Sequence, residues 1–508
     1  MNQPTVQRVH IVLQRVQTWL FAVPRLRAMV GANALLGETL RVALPKLARE
    51  TARGWMLARS GERFPGDDPN DPLNNHDDPA ADAKDGILAR DGGHFEAQFV
   101  SGAEAFCDAA AQLLRSKLPG LRFEISVDGR PLSKSGVHLS TELPVLAPCE
   151  WTGRGLASAI VEQGNDRPAV SLDVARRHEA ARHSEHGKAH DLASLLSATT
   201  KLKTLKRPQE LEELVRDGYL ALIHADGNGV GSGLGNDKSD RERAAFFHKN
   251  RVQLRRALQR AIDVHCPDQG QAPLIPLMLG GDDLLLVARA EIALPFVVSL
   301  CEALDALQQD DNGFKLTLGI GVVIAKHTIP IHRPHEVAER LASSAKRRYR
   351  GLDADKKCSV VDWAVFTTAW VDEPEEVRRR EWLRGGENAL RVLSQRPVDV
   401  LGQGLDSLQG LVKGAEKIEG APRSQLRYLV DQLPRGRALA ELAFAELPPA
   451  AKGPLAEAGV TEPWRRAGSA WITPLLDLVE VAEIRRLGRR ADPRDVANAA
   501  TETEIAHV

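Results

Sequence analysis

The chain has 508 residues, 43% of them hydrophobic, enough for several cores of ordinary domain size. Lys and Arg (67) balance Asp and Glu (68) to a net charge of −1, which excludes a global attraction to nucleic acid and leaves only local patches for it. No apolar run approaches the ~20 residues needed to cross a bilayer, the start lacks a signal-peptide pattern, and five scattered cysteines suit reduced thiols in a cytoplasm rather than a disulfide framework.

In chain order, the first pattern is Arg15 to Phe21 leading into Pro24 to Leu36. An acidic, Pro-rich stretch near 64–87, running through Pro65-Gly66-Asp67-Asp68 and His76-Asp77, cannot bury apolar surface and reads as a disordered insert. Gly92-Gly93-His94-Phe95 then precedes an apolar strand and a helix, after which Leu121, Phe123, Ile125 and Val127 alternate as a half-buried strand. Next comes Leu143 to Gly153 with a single Cys149, then a polar run with His178, His183, His186 and His190. Structural zinc needs about four Cys or His ligands, so no structural zinc is expected, and the histidines read as a solvated helix flank. Asp191 after His190 reads as an N-cap rather than part of a nuclease His-Asp pair.

Lys201, Lys203, Lys206 and Arg207 form one basic patch, and Arg251, Arg255, Arg256 and Arg260 form another at helical spacing; solvated helix faces explain both as well as an RNA surface does. Between them the apolar stretch Leu220 to Ala225 ends in Asp226-Gly227-Asn228-Gly229, and the glycine run continues to Gly235. Leu279-Gly280-Gly281-Asp282-Asp283 follows as a turn between two apolar runs, then the alternating Phe314 to Val322 and a helical run from His335 to Arg350. From Leu220 to Val361 the order is strand, helix, hairpin, helix, strand, helix, strand. After Val361 amphipathic helices around Leu390, Leu426 and Leu475 lead to a frayed tail past Arg490.

A cap and an ordinary hairpin explain Asp226 and Asp282-Asp283 taken singly. Together they offer three carboxylates to one sheet rim, a set suited to a hard ion such as Mg²⁺. Two such ions about 3.5–4 Å apart serve in-line displacement at phosphorus. Gly280-Gly281 fits a tight hairpin, the glycines from Gly227 onward let backbone amides approach phosphates, and Lys346 suits a triphosphate clamp. No dinucleotide fingerprint, Gly-Lys-Ser/Thr loop or nucleophile elbow is present.

The Asp226-Gly227-Asn228-Gly229, Gly280-Gly281-Asp282-Asp283, Leu316 to Val322 and Ser343 to Arg348 segments resemble the second palm of the large polymerase-like subunit of type III CRISPR effectors, a family related to GGDEF nucleotide cyclases. The resemblance implies an α+β fold: a degenerate first palm over 1–142, a linker like a degenerate zinc module over 143–210, a catalytic palm over 211–366, both palms ferredoxin-like, and an all-helical C-terminal domain over 367–508. It also implies that Asp226, Gly227, Asp282 and Asp283 hold two Mg²⁺ or Mn²⁺ ions. Gly227, Asn228, Gly229, Gly280, Gly281 and Lys346 would bind the nucleotide. An internal repeat supports two palms; His94 and Phe95 stand in the first copy where the second has its Asp pair, and no acid marks the strand around Gln14, so the first palm should hold no catalytic metal. The implied activity is synthesis of cyclic oligoadenylates from ATP in antiviral defence, in a compact form without the HD nuclease domain. The implied partners are guide-RNA-containing effector subunits and target RNA, in a cytoplasmic homodimer or heteromeric complex with no membrane. A non-catalytic scaffold and a GTP-using, diguanylate cyclase-like enzyme stay open. Asn236-Asp237 lies near, but not in register with, the base-reading pair of those cyclases.

Overall fold

The computed structural model describes residues 6–51, 53–54, 86–135, 147–162, 166–185, 192–230, 240–309, 314–366, 374–385 and 390–488. The acidic stretch with His76-Asp77, the residues His186, His190 and Asp191, the glycine run past Val230, Asn236-Asp237 and the tail fall outside them. Two compact units form, neither contiguous in the chain. The first takes Met1–Leu211, Gly229–Ala272 and Pro276–Leu285; the second takes Glu212–Asn228, Pro273–Ile275 and Leu286–Val508.

In the first unit, β1 (Gln7–Gln14), β2 (Arg53–Gly54), β3 (Ile87–Ala89), β4 (His94–Ser101), β5 (Arg122–Val127) and β6 (Arg130–Ser135) make one sheet of order β2-β4-β1-β5-β6, with β3 also on β4. Strict alternation sets the inward face. Val9, Ile11 and Leu13 of β1, Phe95, Ala97 and Phe99 of β4 and Phe123, Ile125 and Val127 of β5 are buried, while the residues between them are not. Register follows, with Val9 opposite both Ala97 and Val127 in antiparallel pairs. The Leu26–Glu38 helix packs on the Leu172–Glu185 helix at Gly31, where an added Cβ would lie 1.7 Å from the Arg177 carbonyl oxygen. Arg177, itself buried, stacks 4.2 Å over the Trp19 ring and donates to the Trp19 carbonyl at 3.0 Å. A two-stranded ribbon, β7 (Ala159–Ile160) with β8 (Ala169–Val170), covers a small core of Cys149, Val23, Ala28, Val161 and Val174. Hydrogen bonds from Ser171 and Thr152 hold the Cys149 thiol below its usual range against the opposing effect of burial.

The second unit carries β9 (Tyr219–Gly227), part of the β10 (Leu274–Gly280) and β11 (Asp283–Arg289) hairpin, β12 (Leu318–Lys326) and β13 (Val360–Phe366). The hairpin tip belongs to the first unit. The sheet order is β10-β11-β9-β12-β13-β16, where β16 is Val398–Asp399. Counting four strands of each large sheet in chain order, β3-β4-β1-β5 and β10-β11-β9-β12 both run second, third, first, fourth, so the repeat seen in sequence is a repeat of topology. β9 is antiparallel to β12, and β12 is parallel to β13. Leu220 to Ala225 and Leu318 to Ala325 are buried on both faces, hence their near-continuous apolar runs.

The region after Val361 is not all-helical. β14 (Leu383–Arg384), β15 (Leu390–Val392), β17 (Arg465–Ala467) and β18 (Ala470–Ile472) form a four-stranded sheet of order β14-β15-β18-β17. These strands hold only two or three residues each, too few to show a period of two in sequence. The helices Leu408–Ile418, Arg423–Gln432, Arg437–Ala445, Pro449–Glu457 and Leu475–Arg486 account for the helical pattern.

Candidate functional site

Asp226 sits at the end of β9, opposite Gly319 of β12. The Leu316 to Val322 segment places Gly319 and Gly321 on one face, because residues two apart in a strand share a face. That face receives the His332–Gly351 helix directly. A Cβ on Gly321 would stand 2.0 Å from the Ala338 carbonyl oxygen, and one on Gly319 would stand 2.6 Å from Lys346 Cγ. The two missing side chains let the helix lie against the strand and bring the Lys346 ammonium onto Asp226 Oδ2 in a charge-assisted hydrogen bond. Their side chains are 23% and 39% exposed, so the pair remains open to solvent.

Beside it, Asn228 is 1% exposed. Its backbone N–H donates to the Thr317 carbonyl at 2.8 Å and its Nδ2 to Thr317 Oγ1 at 3.2 Å, which pins the chain as it leaves β9. Among the described residues no donor meets the buried Asn228 Oδ1, and Gly229 adopts φ +67°. Three turns N-terminal to Lys346 on the same helix face, His335 stacks on His224 with ring centroids 6.0 Å apart. Burial first, then His224, pushes the His335 imidazole down to about 3, so it is neutral under the strand that ends in Asp226.

In the first unit, the Gly280-Gly281 turn lies against Asp91-Gly92-Gly93. A Cβ on Gly280 would sit 3.3 Å from Gly92 Cα, and Gly281 takes φ +64°, a conformation that favours glycine. Asp283 Oδ2 accepts from Gln17 Nε2 at 3.3 Å. Arg41 and Arg251 both donate to Asp91, at 2.9 and 2.7 Å, fixing the facing turn. A cavity of about 440 Å³ opens here, lined by Gly280, Gly281, Asp282 and Asp283 on one side and by Arg90, Arg251, Asn250, His10 and His94 on the other. His10 and His94 stack at 5.3 Å, and burial, with His10 second, lowers the His94 pKa. Phe95 is core.

Of the nine residues singled out in sequence, Asp226, Gly227, Asn228 and Lys346 gather in the second unit around the β9 terminus, with Gly229 next in the chain. Gly280, Gly281, Asp282 and Asp283 gather at the cavity of the first unit. Among the described residues, His, Cys, Asp and Glu side chains form no group of three or more positioned to hold an ion. The second basic patch is not a solvated face: Arg255 is 1% exposed and Arg251 is committed to Asp91, leaving Arg260 exposed. Sequence reasoning missed Gly319 and Gly321 as docking positions, Gln17 and Asp91 as partners of the turn residues, and Thr317 as the anchor of Asn228. The Gly-x-Gly spacing on a strand was the one available signal.

Comparison with known proteins gives a family match over residues 219–354, to the second palm domain of Cas10/Cmr2. No curated protein matches the chain. Among solved structures, the apo Csm1–Csm4 cassette aligns with TM-score 0.46 at 14% identity, covering 96% of this chain and 70% of that one. The same cassette in complex with cA4 aligns with TM-score 0.47 at 13% identity, again over 96% and 70%. The Csm1–Csm4 subcomplex of the type III-A CRISPR-Csm interference complex aligns with TM-score 0.45 at 13%, with the same coverage. The matched segment runs from the first residue of β9 to just past the Lys346 helix, and so contains every residue of the Asp226–Lys346 cluster and of the Gly-Gly-Asp-Asp turn. Over residues 219–354, then, the chain is similar to the second palm domain of Cas10/Cmr2.

Proposed function

We propose that the chain is a nucleotidyltransferase that joins ATP units into cyclic oligoadenylates, with the 219–354 palm as catalyst and the first sheet as a degenerate palm. The observation that carries the reading is the half-exposed Lys346–Asp226 pair, set by two strand glycines within the matched palm. A lysine held beside a carboxylate at a strand end, still open to water, is ready to exchange that carboxylate for a phosphate. In the reaction a ribose hydroxyl attacks the α-phosphate of a second nucleotide, a new P–O bond forms, the bond to the β-phosphate breaks and pyrophosphate leaves. Positioning and charge neutralisation supply most of the rate, since phosphoryl transfer asks little else of the protein.

The residue types are those a divalent ion takes. Asp226, Asp282 and Asp283 are hard oxygen donors, Gly227 adds a carbonyl, and among the described residues no donor meets the buried Asn228 Oδ1. Bound Mg²⁺ would neutralise charge on the reacting oxygens. Lys346 would bind the triphosphate, Gly280 and Gly281 would let a nucleotide approach the turn without a Cβ in the way, and Asn228 would hold the β9 terminus rigid. ATP as substrate follows from the family resemblance of the motifs.

The test is to incubate the purified chain with each labelled nucleoside triphosphate and Mg²⁺ or Mn²⁺, beside an Asp282→Ala/Asp283→Ala variant, and to identify products by mass spectrometry. Oligoadenylates from the unaltered chain alone are expected. Products from GTP only would replace the substrate, and equal product from both proteins would remove the palm from the reaction. A second reading, a scaffold in a guide-RNA-containing complex, draws on Tyr428 (52% exposed), Leu439 (48%) and Leu442 (55%), apolar side chains left in solvent on two neighbouring helices. Co-purification of small subunits and RNA with a chain inactive toward all four nucleotides would favour it.

A further inference from the structure

A second cavity, of about 530 Å³, lies in the C-terminal part of the second unit, between the Leu408–Ile418 helix, the 403–405 loop, the 457–462 segment and β17. That volume is within the range of small-ligand sites. Its shape begins with glycine: the loop can lie on the helix because Gly410 has no Cβ, which would otherwise stand 1.9 Å from the Gly404 carbonyl oxygen. Ser407 caps the helix through Gly410 N–H at 3.1 Å and holds the loop in place by donating to the Gly404 carbonyl at 2.8 Å.

The lining carries opposed charges. Lys413 and Lys417, one turn apart on the helix, and Arg465 on β17 line the cavity with Glu457 and Glu462. Among the described residues none of these five forms a salt bridge, and their side-chain hydrogen bonds go to amides, Lys413 to Gln403 at 3.5 Å and Arg465 to Gln395 at 3.1 Å. Trp464 also lines the cavity, is 2% exposed, and its indole N–H meets no acceptor among the described residues. A buried donor left unmade is costly.

We propose that this cavity binds a nucleoside monophosphate. The three cations suit a phosphate. The two glutamates suit ligand donors, which the ribose hydroxyls and an exocyclic amine supply. Two carboxylates on the same wall oppose the higher charge of a triphosphate. The proposal is independent of the palm reading.

Calorimetric titration of the whole chain with AMP in the presence of a metal chelator tests it. One site is expected in the unaltered protein and equally in the Asp282→Ala/Asp283→Ala variant. Affinity should fall about tenfold or more in Lys413→Ala/Lys417→Ala, whose side chains are exposed and outside any core. No AMP binding, or binding unchanged by the lysine variant, overturns the proposal. Inorganic phosphate binding as tightly as AMP reduces the site to an anion seat. A 5′-phosphorylated oligoribonucleotide that binds where AMP does not makes it a nucleic-acid surface instead. Either result also overturns the assignment.

Discussion

Two cation–carboxylate clusters in the second unit are built from the same chemistry and serve opposite ends. Arg396 is sealed: it and Asp477 are each 1% exposed and 3.0 Å apart, and Arg396 reaches Glu480 at 2.6 Å and the Trp363 carbonyl at 3.0 Å. Its guanidinium lies between Trp363 at 4.6 Å and Trp382 at 4.3 Å. Asp477 is completed by Ser394 at 2.7 Å and the Gln395 N–H at 2.9 Å. Lys346 and Asp226 are 23% and 39% exposed and, among the described residues, have no such shell. A buried pair is held because breaking it strands a charge, whereas an exposed pair is worth little and can trade partners. The first is architecture joining the C-terminal helix Leu475–Arg486 to β13, and the second is the centre of the proposed site.

The largest effect should come from breaking the sealed cluster. Arg396→Ala leaves Asp477 and Glu480 without their cation and removes the plate between two tryptophans. A loss of about 3–5 kcal/mol is expected in urea unfolding, with loss of any activity following from unfolding. A loss below about 1 kcal/mol would mean that water reaches the cluster and that the contrast with Lys346 is false. Gly321→Ala comes next. Its Cβ would meet the Ala338 carbonyl, a backbone atom that can move only with its helix, so overpacking should cost about 1–3 kcal/mol. Because the same helix carries Lys346, the substitution should also weaken nucleotide binding, a coupling that Arg396→Ala lacks apart from global unfolding.

These two positions also show where sequence reading runs out. The apolar runs of β9 and β12, the Gly-Gly hairpin and the helix carrying Lys346 were legible because each is written in one continuous segment whose period or turn chemistry is local. The docking role of Gly321 was not, since a missing side chain says nothing about which helix fills its space. The Arg396 sandwich draws on residues 363, 382, 396, 477 and 480, and no spacing rule joins them. Arg251 and Arg255 looked like a solvent face because helical spacing reports that charges share a side, not that the side points inward. The short strands of the C-terminal region escaped for a related reason: their pairing is tertiary.

A pH titration separates the pieces next. His335 is pushed down to about 3 in the folded chain, while the unfolded chain protonates near pH 6.5. Between those values the unfolded state binds the extra proton, so stability falls as the pH drops below about 6.5. By pH 5 the loss from this one group should be up to about 2 kcal/mol. His335→Phe should flatten that part of the profile of unfolding free energy against pH. A profile unchanged by the substitution would locate the acid sensitivity elsewhere, with His178, pushed down to about 4 by burial and by Arg27 and Arg182, the next group to replace.

The smallest change in stability should come from Lys346→Met, and it is the most informative. The methionine keeps the stem that packs over Gly319 and removes only the ammonium. With both partners partly exposed, unfolding free energy should move by less than about 1 kcal/mol. Nucleotide turnover should fall by about tenfold or more, through a raised KM if the ammonium holds the ground-state triphosphate, or through kcat if it meets charge that develops only on the leaving group. Stability lost without a loss of turnover would reverse the assignment, making Lys346–Asp226 a structural pair like Arg396–Asp477. Turnover lost at unchanged stability would separate the two clusters by function as well as by burial, because the sealed cluster has no variant that can produce that result.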